Sequence, residues 1–372
     1  MNRRVFLLMG LAILAVVISH AAGWGQIAMF NWTDRYRPVT VPNYDQVGTL
    51  NDYILVVIRQ LTSFAIPAFL FCSGFFVAFA SRGARGEFTW RMVRARLINL
   101  LIPYLIWSNL WYVVDTLLGH GQPPGDYIPW LFTGMAAGGS YYFVPLMCQF
   151  FLLAPFIVRL AKTRPIVLLT VAGSIQAVAL ACKYLDAFHV GVPALSPLYW
   201  QITAPWLIFL WAFYFPLGVV CGLHGERIRQ VVQRHYRTIL LALGVSCILA
   251  ILEPELIYRG FNAEVRFVPL AVSPTLYSLL LVVGFVMYDR AKVPLANSLY
   301  SLGGKSYGIY LIHFKAMELV SRLIRQVAPM LLTFPVAVIF PVTFVVGLAV
   351  PLLLMRLVVQ TRLRKSYRYL FG

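Results

Sequence analysis

The sequence predicts an all-α integral membrane protein of about ten transmembrane helices, with both termini in the cytoplasm. Three observations predict it. Residues of the AVILMFWYC set make up 60% of the 372-residue chain and charged residues only 12%. A soluble domain carries about 25% charged residues, so too few polar groups remain here to cover a water-exposed surface. The apolar runs are continuous and about 20 residues long, the length a helix needs to cross about 30 Å of hydrocarbon. Barrel strands would instead alternate with period two. The formal charge of +18 sits between these runs, largely on one side of them, which speaks for membrane topology and against a nucleic-acid partner.

The spans follow in order, at roughly 5–24, 53–80, 97–118, 140–160, 165–184, 200–223, 238–253, 270–288, 301–320 and 333–356. The first opens after Arg3 and Arg4 and ends at Ala21, Ala22 and Gly23, a pattern shared with signal peptides. It is read as a retained helix, because a discarded segment would waste His20. The second contains Arg59, and the third begins behind Arg91, Arg94 and Arg96. The apolar stretch 127–137 is too short to span and is expected at an interface. Lys162 and Arg164 separate the fourth and fifth spans, and a basic stretch from Arg227 to Arg237 precedes the seventh. The tenth is followed by a basic tail. No repeat, low-complexity tract or appended soluble domain interrupts the series, so residues 1–372 read as a single membrane domain in a multi-pass protein of the cell inner membrane.

With the N-terminus in the cytoplasm, twenty-two of the 31 Lys and Arg fall in cytoplasmic segments. Eight fall at outer loops and helix ends: Arg35, Arg37, Lys183, Arg259, Arg266, Lys315, Arg322 and Arg325. Arg59 lies within a span. The opposite orientation would invert that ratio. The outer loop 25–52 carries Asp34, Asp45 and Asp52 beside Trp32, Tyr36, Tyr44 and Tyr53. Such a mixture suits sugar hydroxyls and ring faces, and equally an aromatic interfacial belt. Loops near 185–199 and 254–269 share that outer side. Cys72, Cys148, Cys182, Cys221 and Cys247 are scattered through apolar runs and read as small buried hydrophobes, with neither a disulfide framework nor a metal site.

Several polar residues stand where a membrane helix makes them costly. His20 lies in the outer half of the first span. Ionisable groups there usually mark a pathway or site, and a neutral imidazole is well suited to take a proton. The alternative is a histidine that simply caps or hydrogen-bonds a helix end. Arg59 needs a carboxylate, a water-filled cavity or an anionic ligand, and Asp115, Glu253 and Glu318 are candidate partners. Arg91, Arg94 and Arg96, with Arg82 and Arg85 nearby, fit topology and lipid headgroups, or a phosphate-bearing ligand matched by guanidinium forks. Ser306, Tyr310 and His313 are spaced four and three apart and share one helical face, as a site lining or as glue between helices. Gly304-Lys305-Ser306 is no phosphate loop, because the glycine required five positions earlier is Leu299. No HExxH pattern occurs.

At these residues the chain resembles the membrane-bound type 3 acyltransferases, among them O-acetyltransferases of bacterial surface polysaccharides. GLAILAVVISHA, with His20, resembles the family's first helix. FAIPAFLFCSGFF resembles its second, at Pro67, Phe69, Ser73 and Gly74. RARLINLLIPYLIWS matches an arginine-rich helix start running into IPYxxW, at Arg94, Arg96, Pro103, Tyr104 and Trp107. YYFVPLMCQFFLLAPFI aligns at Tyr142, Phe143, Val144 and Pro155, and GGKSYGIYLIHF matches the late SYGIYLIH motif. The likeness covers nearly the whole chain. It departs at Met9, where many relatives carry arginine, and at Ser63, where relatives often carry a basic residue and where Arg59, one turn back, is a candidate substitute.

The resemblance implies an O-acyltransferase that moves an acyl group, acetyl foremost, from acyl-CoA to a hydroxyl of an envelope polysaccharide or glycolipid. Acyl-CoA is then a donor substrate, with no permanently bound cofactor. His20 is implied as general base and Arg91, Arg94 and Arg96 as holders of the CoA phosphates. Arg59, Ser73, Tyr104, Ser306, Tyr310 and His313 are implied as cavity or support residues. Two other readings stay open: a transporter or flippase of a lipid-linked glycan or small anion, and a catalytically silent membrane partner.

Overall fold

The computed structural model describes residues 2–82, 88–135, 140–188, 190, 196–261, 271–288 and 292–372. Arg85, Glu87, Arg266, Asp289 and Arg290, and parts of the predicted segments 127–137, 185–199 and 254–269, lie outside them. The described residues fold into helices, with no strand among them. Seven helical segments are long and apolar enough to cross a membrane, and two shorter apolar ones, Phe209–Leu223 and Val272–Met287, accompany them.

The first helix, α1 (Asn2–Asn31), runs two turns past its predicted end at residue 24. Tertiary packing extends it: Ala22 and Met29 are buried in a small cluster with Leu55. The loop expected at 25–52 therefore begins at Trp32, not at residue 25. The predicted span 53–80 is two helices, α2 (Leu50–Leu61) and α3 (Ala65–Ala80). Pro67 explains the break, since its ring crowds the carbonyl four residues back and it has no N–H to donate. The Thr62 hydroxyl takes over locally by donating to the carbonyls of Ile58 and Arg59, both at 3.0 Å. Non-helical backbone at membrane depth is tolerated where it is buried in protein or lines a cavity, and here it does line one.

Next come α4 (Trp90–Leu117), the short α5 (Pro124–Thr133), α6 (Phe143–Thr163) and α7 (Pro165–Ala187). The predicted span 200–223 is interrupted as well: α8 (Ser196–Ile202) ends early, and turns lead into α9 (Tyr214–Leu223). The chain then forms α10 (Gly225–Arg234), α11 (Tyr236–Phe261), α12 (Val272–Met287), α13 (Ala296–Gly304), α14 (Ser306–Val327), α15 (Phe340–Gln360) and α16 (Tyr367–Phe371).

Glycines set the closest crossings. A Cβ on Gly74 would strike the carbonyl of Phe215, one on Gly218 the carbonyl of Phe71, and one on Gly222 the Cβ of Ala78. Gly218 and Gly222 form a small-xxx-small pair that lets α9 lie backbone-to-backbone against α3. The same device joins α1 to α13, where Gly10 meets the carbonyl of Leu299 and Gly303 that of Phe6. Gly218→Val is expected to destabilise the fold by roughly 1–3 kcal/mol, because backbone on the facing helix cannot rotate away. Thermal unfolding in detergent checks this, and an unchanged midpoint would refute the close-packing explanation.

Both chain termini lie at one end of the bundle. Phe6 stacks near Phe76 at the end of α3, with ring centroids 5.2 Å apart, and Arg82 donates to the carbonyl of Gly222 at the end of α9. Arg3 bonds Asn297 at 3.0 Å. Trp107 donates to the Leu370 carbonyl at 2.7 Å, and Arg368 bonds Asn99. This end carries Arg3, Arg4, Arg91, Arg94, Lys162 and the basic C-terminal tail.

Candidate functional site

His20 is the nineteenth residue of α1, eighteen steps from its first, so it lies about 27 Å from the basic end by a rise of 1.5 Å per residue. It borders two cavities. The first, about 220 Å³, is walled by α1 (Ser19, His20), the α2–α3 break (Arg59 to Ile66), the start of α6 (Tyr142, Phe143), Ser140 and Tyr310 of α14. The second, about 340 Å³, opens along the outer part of α1 past Trp24, Gln26 and Phe30, with Arg59 and Phe314 opposite. His20 and Arg59 belong to both.

His313 stands behind His20, fully buried, with ring centroids 5.2 Å apart. Its Nδ1 lies 3.0 Å from the Ile309 carbonyl and 2.8 Å from that of Tyr310. A carbonyl can only accept, so Nδ1 carries the proton and Nε2 of the neutral ring is a bare acceptor. That Nε2 is buried and has no partner among the described residues. Phe314 closes another side of the His20 ring edge-on, at 5.1 Å. Tyr310 is fixed by donation to the Ser140 carbonyl at 2.7 Å, which ties α14 to the start of α6.

Arg59 donates to the amide oxygen of Gln26 at 2.6 Å. The three carboxylates considered as its partners are engaged elsewhere. Asp115 and Glu318 both pair with buried Lys315, at 2.7 and 2.8 Å, and Glu318 also pairs with Arg322. Glu253 accepts from Tyr184 and from the Ser273 amide. Because its oxygen is taken by Arg59, Gln26 presents an amide nitrogen that is buried without an acceptor, as is the indole nitrogen of Trp24. Two N–H donors with no acceptor among the described residues, bordering the same cavity as a histidine and a guanidinium, can hold a carbonyl or hydroxyl oxygen.

Of the residues singled out in the sequence, the fold brings His20, Arg59, Tyr310 and His313 together. Tyr104 acts as a brace: it donates to the Leu131 carbonyl at 2.5 Å and packs edge-on against Tyr141 at 5.8 Å. Ser306 is buried two turns before His313 and does not border either cavity. Ser73 is also outside the lining, while its neighbour Gly74 serves the α3–α9 contact. Arg91, Arg94 and Arg96 are exposed in the first two turns of α4. Arg91 lies thirteen residues, or about 20 Å of helix, from Tyr104, so the fold does not join the arginine cluster to the His20 cavity. Sequence reasoning missed Trp24 and Gln26, which fell beyond or at the predicted end of the first span. It also missed the buried ion network, although the spacing of Lys315, Glu318 and Arg322 by three and four residues was a readable signal.

Helices that can cross a membrane, enclosing a histidine pair and an arginine on a broken helix, define a polytopic membrane protein with a polar cavity in the half away from its basic end. Residues 7–356 match the family model described as an acyltransferase domain, and the chain belongs to that family, the type 3 acyltransferases that its motifs resemble. Among curated relatives are proteins of Staphylococcus aureus strains MSSA476, MW2 and MRSA252, each named "Probable poly-beta-1,6-N-acetyl-D-glucosamine export protein". They are 24% identical to it over 260 residues, covering 69% of this chain and 69% of theirs. No solved structure matches.

Proposed function

We propose that this protein moves an acyl group, acetyl foremost, from acyl-CoA to a hydroxyl of an envelope polysaccharide or glycolipid, with His20 as general base. The observation that carries the proposal is that His20 and Arg59 share a buried polar cavity in a chain of the acyltransferase family. His20 takes the proton of the acceptor hydroxyl as its oxygen bonds to the thioester carbonyl carbon. Negative charge then grows on the carbonyl oxygen, where the Arg59 guanidinium and the Gln26 amide supply donors in a water-poor site. When the C–S bond breaks, the proton on His20 passes to the departing sulfur. His313 is a positioning residue in this scheme: its bare Nε2, on a ring whose centroid lies 5.2 Å from that of His20, can accept from the His20 ring and favour one orientation.

The placement of charge supports the sidedness. The basic end gathers both termini and the exposed arginines of α4, and cytoplasmic excess of Lys and Arg orients helices. It is assigned to the cytoplasm, at the inner membrane, where CoA phosphates would meet Arg91, Arg94 and Arg96. An acyl-CoA carries its thioester at the end of a long arm away from its phosphates, so phosphate site and His20 need not adjoin. The acceptor carbohydrate approaches the other end, past Trp24 and Gln26.

A second reading, export of a glycan, is favoured by the name of the staphylococcal relatives. A cavity of about 220 Å³ is below the roughly 300–1,000 Å³ of pockets for drug-sized ligands, which suits an acyl group at a sugar edge better than a polymer strand. Proteoliposomes separate the two. With labelled acyl-CoA supplied at the basic face and glycan at the opposite face, transfer predicts label on the glycan and free CoA. Glycan that crosses unmodified, with no CoA released, would replace this reading with export.

A further inference from the structure

A second cavity lies far from His20, at the basic end. There α10, α11 and α12 and the first turn of α1 enclose a slot of about 280 Å³. Its walls are aliphatic: Val232, Ile239, Leu243 and Leu281. Gly284 widens it, since a Cβ there would come no closer than 3.7 Å to Ile239. At its mouth Tyr236 and Tyr288 stack with centroids 5.5 Å apart and planes 15° off parallel. Three cations stand at or beside the slot. Arg4 and Lys292 border the slot directly, and Arg237 donates to the Tyr236 hydroxyl at 3.0 Å. Leu240, on the rim, is exposed on the lipid-facing side of α11. No carboxylate is among the described residues that border the slot.

We infer that this slot holds one acyl chain of an anionic phospholipid, with the lipid phosphate at Arg4, Arg237 and Lys292. Water would find almost no hydrogen-bond partners between aliphatic walls, whereas a hydrocarbon chain recovers the dispersion contacts that an empty slot forgoes. Basic pockets between transmembrane helices at the cytoplasmic face suit anionic headgroups, and the cations here sit at the headgroup end of an apolar channel. The chain of a donor thioester is excluded as the occupant by distance. Arg4 precedes His20 by sixteen residues, about 24 Å along α1, so a carbonyl carbon lodged in the slot cannot reach that ring. The lipid would act as a filler between α11–α12 and α1, independently of the acyl-transfer reading.

The test is lipid retention after reconstitution in nanodiscs of equal phosphatidylglycerol and phosphatidylcholine, extraction into detergent and native mass spectrometry. Wild type is expected to keep one phosphatidylglycerol in preference to phosphatidylcholine. Lys292→Gln and Arg237→Gln, both at exposed positions, are each expected to weaken retention roughly fivefold, as loss of about 1 kcal/mol per cation near a headgroup implies. Gly284→Leu, which fills the slot, is expected to abolish retention while the protein elutes as wild type does. Equal retention of the two lipids, or phosphatidylglycerol kept undiminished by both charge variants, would overturn the inference.

Discussion

Replacing His20 with alanine is expected to lower acyl transfer by about 10²–10⁴-fold, the contribution typical of a positioned general base. The protein should remain folded, because the His20 ring borders two cavities and, among the described residues, makes ring contacts with His313 and Phe314 alone. His313→Asn should reduce the rate less. It removes the bare acceptor beside His20 but keeps a polar side chain in the same turn, and its effect should fall on turnover more than on the acyl-CoA concentration at half-maximal rate. Steady-state kinetics in nanodiscs read both. A His20→Ala protein that turns over at the wild-type rate would remove His20 from the chemistry.

The second large effect concerns stability. Lys315 is buried between two carboxylates, Asp115 at 2.7 Å and Glu318 at 2.8 Å. Lys315→Met leaves Asp115 without its cation at membrane depth, while Glu318 keeps only Arg322. Removing one partner of a buried ion pair costs about 3–5 kcal/mol, because the survivor stays charged in a poor solvent. Lys315→Met should therefore unfold well below wild type on heating in detergent, and adding Asp115→Leu should recover part of the loss. If the single variant melts with wild type, the network contributes nothing to holding α4 against α14.

These two expectations draw on different depths of the sequence. The membrane class follows from composition, since a continuous apolar run of about 20 residues has few other solutions. Among the described residues, seven of the ten predicted spans coincide with helical segments long and apolar enough to cross, while 200–223 and 270–288 hold shorter apolar helices and 301–320 is broken at Lys305. What composition could not mark is where tertiary contact overrides a local signal. Ala21, Ala22 and Gly23 suggested the end of the first span, yet α1 continues to Asn31 because Ala22 and Met29 are buried with Leu55. The break at residues 62–64 was legible in principle from Pro67, and so was the ion network from the spacing along α14.

The site was legible where residues share a helix. Tyr310 and His313 lie on one face by spacing alone, and His20 stood out as a charge-capable group in an apolar run. Partners on separate helices were not legible. Nothing in the sequence says that Arg59 bonds Gln26 in preference to a carboxylate, since that choice depends on how α1 and α2 cross. The same limit applies to Tyr104 and Trp107, whose motif reads as a site but whose side chains anchor α5 and the C-terminal helix through the carbonyls of Leu131 and Leu370.

The most direct test of the central claim is the stoichiometry of acyl transfer by purified protein in lipid nanodiscs, with labelled acetyl-CoA and an envelope-glycan extract. The account predicts one CoA thiol released for each labelled acyl group gained by the glycan, dependent on the acceptor and lost in His20→Ala. Folded wild-type protein that binds the glycan yet neither releases CoA nor transfers label would contradict it.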